Sequence, residues 1–411
     1  MLLLLPVILF IIIFLPYLSL IPGNDGNYEI IDAYHWFLGD NLLKLLSSHP
    51  PFKLILFNFF YNYFGLHSFG YIGLFFGIIG IIALYHIGKE LFDKQTALLS
   101  SVFLATSGLY LSVGAFALRD FLTTVFMLVG FACYLKSRYI WYAIFLCLAV
   151  LTKESALFFA LSIVLSEFIT KKKVTFAALA PIIIFMWYIE IVYASGHHVW
   201  NQWNFSKTAN KGSIYTIINN LVTLQVFNKY AYENWDHLFV FNFNWTYWIA
   251  AFISFFFIKK QELKMRLLPL LLFFLSVTLL LLSFQTYTIN RYTLPLLPFL
   301  YLFTAFGITK MKFTLFFAVL FIFISFISLS YSVDPISNTI WQKTTVFNEK
   351  FYLNPELDGA DGITYNLQYL TIMKKRTTMI LHGKCKLPSI ITFTRQTRTL
   401  FHITSCTNLL Q

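Results

Sequence analysis

Long apolar runs separated by short polar breaks dominate this chain from its first residue to about position 331. A helix crossing the hydrocarbon core of a bilayer takes roughly 20 mostly apolar residues. Windows of that kind recur at 2–21, 67–87, 96–116, 119–135, 139–152, 155–170, 174–194, 243–258, 267–284, 292–309 and 312–331. The pattern predicts an all-α polytopic membrane protein of about eleven transmembrane helices. The first window, MLLLLPVILFIIIFLPYLSL, lacks a basic flank and is longer than the apolar stretch of a cleaved signal, so a retained first helix is expected.

The breaks carry orientation. Lys89 and Lys94, then Lys136 and Arg138, Lys171 to Lys173, Lys259, Lys260, Lys264 and Arg266, and finally Lys310 and Lys312 fall in alternate loops, which the positive-inside rule puts on the cytoplasmic side. The loops 22–66, 117–119, around 153, 195–242 and 285–291 are then external, together with the tail from 332. Within 22–66 the runs IIDAYHWFLGDNLLKLL and FKLILFNFFYNYF place apolar residues at helical spacing, as interfacial helices do. The loop 195–242, rich in Trp, Asn and Tyr, suits a lid over a site or an ordinary connector. The tail 332–411 is mixed polar with strand-like stretches such as PSIITFTRQTRTLFHI, which predicts a small α+β extracytoplasmic domain beside a membrane domain of 1–331.

Composition agrees: 58% of residues are hydrophobic, 12% are charged, and Phe occurs 48 times. The net charge of +12 is spread through the inter-helix loops rather than collected on a soluble face, so topology explains it and a nucleic-acid partner is not expected. Cys385 and Cys406 fall in the external tail, where their pairing stays open, whereas Cys133 and Cys147 lie inside predicted helices. The sequons at Asn204 and Asn244 are of a kind that arises often by chance.

Ionisable residues at the membrane plane are costly and invite a functional reading. On the external side they include Asp25, Glu29, Asp32, His35, Asp40, Lys44, His49, Lys53, Arg119, Asp120, Lys153, Glu154 and Arg291. The acids can accept a proton, and Arg119, Lys153 and Arg291 are cations suited to a phosphate. Together they suggest group transfer from a phosphate-activated donor. Structural readings stand beside this one: helix-end ion pairs for Arg119 with Asp120 and for Lys153 with Glu154, an interfacial anchor for Arg291, and a shaped turn for His49 before Pro50 and Pro51. Tyr292 suits a sugar platform or the interfacial aromatic belt. No metal signature such as HExxH or paired CxxC occurs, so a divalent metal is unsupported.

Taken in order, DGNYEIIDAYHWFLG from Asp25, HPPFKLIL from His49, ALRDFLTT from Ala117, LTKESA from Leu151 and NRYTLPLLP from Asn290 resemble the GT-C membrane glycosyltransferases, in particular the protein O-mannosyltransferase and aminoarabinose transferase group. The resemblance implies a multi-pass enzyme of the plasma membrane. Such an enzyme takes a hexose or pentose, mannose among them, from a dolichyl or undecaprenyl phosphate and passes it to a protein, lipid or glycan acceptor on the external face. Membrane lipid, the lipid-linked donor and the acceptor are the partners it implies. The family's essential acid matches Asp25, the general base in this reading. The second acid usual after it is Gly26 here, and Glu29 substitutes only if the turn folds it back. The resemblance assigns the donor phosphate to Arg119, Lys153 and Arg291, and substrate contact to Glu29, His49 and Tyr292. A transporter or flippase of lipid-linked sugars is the alternative. An oligosaccharyltransferase-type catalyst fits less well, because no clear Asp-x-Asp pair is present.

Overall fold

The computed structural model describes residues 2–18, 50–64, 68–194, 223, 236–240, 244–258, 261–283, 290–330, 389–397 and 400–408. Asp25, Glu29, His49, the first of the two interfacial stretches, most of the 195–242 loop and Cys385 lie outside these residues.

Every predicted apolar window is helical. The helices are α1 (Leu4–Phe14), α2 (Phe52–Phe64), α3 (Ser68–Leu91), α4 (Lys94–Ala105), α5 (Gly108–Ala115), α6 (Arg119–Leu135), α7 (Tyr139–Val150), α8 (Ala156–Lys171), α9 (Phe176–Ala194), α10 (Asn244–Ser254), α11 (Gln261–Ser283), α12 (Leu297–Thr309) and α13 (Thr314–Ser330). The second interfacial stretch, FKLILFNFFYNYF, is α2.

Their lengths differ from the windows for local reasons. Among the described helices only α3 is long and apolar enough to cross a bilayer by itself, joined by a second if the bent pair α4 and α5 counts as one; the other apolar helices run 10–17 residues. Pro16 turns the end of α1 into a short 3₁₀ stretch, Leu15–Tyr17. The window 96–116 breaks with a 55° bend between α4 and α5. There the Thr106 hydroxyl donates to the Val102 carbonyl at 2.9 Å, and Ser107 caps α5 by accepting from the Tyr110 amide at 3.3 Å. Such hydroxyls compete with the helix ladder. Ser107 also accepts from the Tyr301 hydroxyl at 2.9 Å, which ties the break to α12.

The main helix contacts are α6 on α7, α3 on α6, α3 on α4, α4 on α12, α10 on α12, α8 on α11 and α7 on α9. A Cβ at Gly73 would collide with the Gly114 carbonyl oxygen, so glycine there lets α3 touch the end of α5. The core is aromatic, with Phe103, Phe121, Phe131 and Phe159 fully buried. Large apolar side chains also face outward, among them Leu4, Ile8 and Ile12 on α1, Phe176 and Trp187 on α9, and Leu315, Phe316 and Phe323 on α13. Apolar surface on this scale is what lipid tails solvate.

Charges segregate to the two ends of the bundle. One end holds Lys136 against His86 at 3.3 Å, Lys171 on buried Glu167 at 2.9 Å, and Lys310 on Asp93 at 3.4 Å. Asp93 caps α4 by accepting from the Thr96 amide at 2.8 Å. Partial burial pushes its carboxyl up, but the Thr96 amide and hydroxyl and the Lys310 ammonium outweigh this and hold it below its ordinary value of 3.8. A depressed carboxylate contributes stability above its unfolded value and loses it as pH falls through the folded one. Asp93→Ala is therefore expected to cost about 1 kcal/mol near neutral pH. Its deficit against wild type should shrink below about pH 4, as read by thermal unfolding in detergent.

Asn244 is buried, and its Nδ2 donates to the Leu238 carbonyl at 3.4 Å, so this sequon asparagine serves the packing of α10. In the tail, β1 (Ser389–Thr397) pairs antiparallel with β2 (Leu400–Asn408), Ser389 opposite Asn408 and Thr397 opposite Leu400, where the strand-like run was read.

Candidate functional site

The other end of the bundle gathers three of the predicted segments. The α6–α7 hairpin returns the chain to the level at which α6 begins, so the 151–155 segment lies beside Arg119 and Asp120. The start of α6 is set by the turn before it. Ala117, at φ 43°, takes the left-handed position that ends α5, with its amide on the Gly114 carbonyl at 2.8 Å and the Leu118 amide on the Val113 carbonyl at 3.1 Å. Leu118 is extended, and Asp120 falls in the first turn of α6, where a carboxylate meets the positive end of the helix dipole.

Asp120 is 3% exposed. Its Oδ1 accepts from Lys153 Nζ at 2.5 Å, and its Oδ2 lies 3.4 Å from Arg291 Nε. Both cationic side chains are 12% exposed. The Arg291 contact is ionic rather than a formed hydrogen bond, and it runs through Nε. Arg291 stands in a 3₁₀ turn, Asn290–Thr293, that leads into α12, with the Leu294 amide on the Arg291 carbonyl at 3.0 Å. The Tyr292 ring lies under Lys153, Nζ to centroid 4.3 Å.

Two further pieces border the cluster. The Phe52 amide donates to the Leu151 carbonyl at 2.9 Å, so the chain after Pro50 and Pro51 is docked on the segment that carries Lys153. Lys53 beside it is buried, its Nζ 5.9 Å from the Phe69 ring centroid. On the far side, Tyr188 of α9 feels both Glu154 and Arg119 electrostatically, which places these two at the edge of the same end.

Of the sequence-predicted site residues, Lys153, Arg291 and Tyr292 thus meet directly, and Arg119 lies nearby. Lys153 pairs with Asp120, beside which the α6–α7 hairpin brings it. Asp120 is the residue whose role sequence reading missed. The signal was present as a carboxylate directly after Arg119 at a helix start, but its partners lie on other segments. Among the described residues no three of His, Cys, Asp and Glu converge as metal ligands would.

No protein-family model matches the chain, and no curated protein is similar to it in sequence. Solved structures are similar in fold. ArnT from Cupriavidus metallidurans bound to undecaprenyl phosphate is 14% identical, with a TM-score of 0.55 over 90% of this chain and 70% of that one. The archaeal oligosaccharyltransferase AglB from Archaeoglobus fulgidus in complex with an inhibitory peptide and a dolichol-phosphate is 13% identical, with a TM-score of 0.50 over 90% of this chain and 59% of that one. The Archaeoglobus fulgidus oligosaccharyltransferase tethered to an acceptor peptide containing the NVT sequon gives 12%, 0.53, 90% and 58%. The chain thus spans less than two thirds of the oligosaccharyltransferases.

Proposed function

We propose, for a chain that has the fold of the GT-C glycosyltransferases ArnT and AglB, that it transfers a sugar from a polyprenyl phosphate to an acceptor at the outer face of a membrane. The lipids named in the two neighbours, undecaprenyl phosphate and dolichol-phosphate, belong to one chemical class, and that class is the proposed donor. The observation that carries the reading is the pairing of Lys153 and Arg291 about Asp120: two cations from separate segments, both nearly buried, at one end of an apolar bundle.

In this mechanism the acceptor hydroxyl attacks the anomeric carbon from the face opposite the phosphate and gives its proton to Asp25. The bond from the anomeric carbon to the phosphate oxygen breaks, polyprenyl phosphate leaves with the electron pair, and the anomeric centre inverts. Charge grows on the leaving phosphate. Lys153 and Arg291, with Arg119 at the edge, meet it where water is scarce and electrostatic stabilisation is worth most. Glu29 and His49 contact substrate from the first external loop. Eleven spans over 1–331 carry this site on the plasma-membrane exterior, and residues 332–411 form a small external unit.

The test is transfer in membranes supplied with radiolabelled undecaprenyl- and dolichyl-phosphate sugars. Transfer from at least one donor is expected, with Lys153→Met and Arg291→Ala each lowering the rate about 10²-fold. No transfer from any such donor, with movement of labelled lipid across liposomes instead, would make the chain a flippase.

A further inference from the structure

Tyr292 sits where a sugar platform was expected, yet its ring face is already in use. Lys153 Nζ lies 4.3 Å from the ring centroid and the Arg291 guanidinium carbon 5.6 Å from it, both within the roughly 6 Å over which a cation feels the ring quadrupole. Lys153 therefore has a carboxylate oxygen on one side, Asp120 Oδ1 at 2.5 Å, and an aromatic face on another.

We propose that Tyr292 is a positioning residue: its ring holds the Lys153 ammonium beside Arg291, so that the two cations meet a single donor phosphate. This rests on the reading that these cations receive a phosphate. A lysine ends in a compact charge on a flexible four-carbon stem, and it brings that charge to a defined point only when something fixes the stem. Tyr292 is suited to the task because it neighbours Arg291 in the same 3₁₀ turn, and that turn is pinned by buried Thr293 and by the Leu294 and Leu296 amides. Ring and guanidinium therefore share one backbone support, and a lysine gripped by the ring is registered to the arginine. Asp120 alone does not do this, since a carboxylate that accepts from the ammonium at its tip leaves the direction of the lysine stem open. The face that carries the ammonium is not free to stack on a pyranose.

The experiment uses the full chain in nanodiscs, with undecaprenyl phosphate as the binding probe and acylation of Lys153 by an amine-reactive ester, mapped by mass spectrometry, as a second readout. Tyr292→Leu is expected to weaken undecaprenyl phosphate binding about tenfold, and to speed Lys153 acylation several-fold. Tyr292→Phe, which keeps the π face and loses the hydroxyl, should recover both to within about threefold of wild type. In the background of Lys153→Met, Tyr292→Leu should cost nothing more. Tyr292→Met is the second non-aromatic variant should the leucine variant not fold. Equal losses for Phe and Leu would assign the role to the hydroxyl, and additive losses with Lys153→Met would place Tyr292 directly on substrate; either overturns the proposal. Wild-type protein that binds neither undecaprenyl nor dolichyl phosphate instead removes the proposed function, and the acylation rates then decide by themselves whether the ring holds the lysine.

Discussion

Asp120→Asn is expected to destabilise the protein by about 3–5 kcal/mol, the usual cost of removing one partner from a buried ionic cluster. Asp120 is nearly inaccessible, with Lys153 at 2.5 Å and Arg291 at 3.4 Å. An amide keeps the shape and loses the charge, so the two cations stay desolvated at one point without the carboxylate between them. The cost should be specific to charge. Asp120→Asn combined with Lys153→Met removes one of the two cations and should recover part of the loss, a non-additivity expected for groups in one network. Thermal unfolding of the four proteins in the same detergent gives the cycle. Additive losses would mean that Asp120 acts through packing alone. Transfer should fall along with stability in the single variant, since Lys153 then has only the Tyr292 ring to hold it.

The bundle was legible because it rests on one strong signal. Runs of apolar residues near membrane-spanning length, with basic residues in alternate breaks, predict helices and their alternation, and helices occupy every window. What the runs did not reveal is where helices stop inside them. The break at Thr106 and Ser107 depends on hydroxyls that bond to carbonyls one turn back and to Tyr301 on another helix, and a hydropathy window averages over such residues. The site was legible by type and only partly by partner. Lys153 and Arg291 stood out as cations at the ends of apolar spans, but nothing local shows that both face Asp120. That contact comes from the return of the α6–α7 hairpin and from the turn before α12. Nor does anything local show that the Tyr292 ring lies under Lys153, which comes from another segment.

Asp25→Asn is expected to lower transfer by about 10²–10⁴-fold, the range general-base catalysis contributes, while binding of undecaprenyl phosphate stays close to wild type. The two readouts separate because the proposed roles do. The donor phosphate meets Lys153 and Arg291, whereas Asp25 takes the proton of the acceptor hydroxyl at the other end of the displacement. The Phe52 amide bonded to the Leu151 carbonyl at 2.9 Å holds the chain after Pro50 and Pro51 beside the cation cluster. Glu29→Gln serves as the internal comparison, because Glu29 is the next carboxylate after Asp25 along the sequence. A loss in Asp25→Asn far larger than in Glu29→Gln makes Asp25 the base. The reverse order moves the proton to Glu29, and unchanged transfer in both removes the first-loop acids from the chemistry.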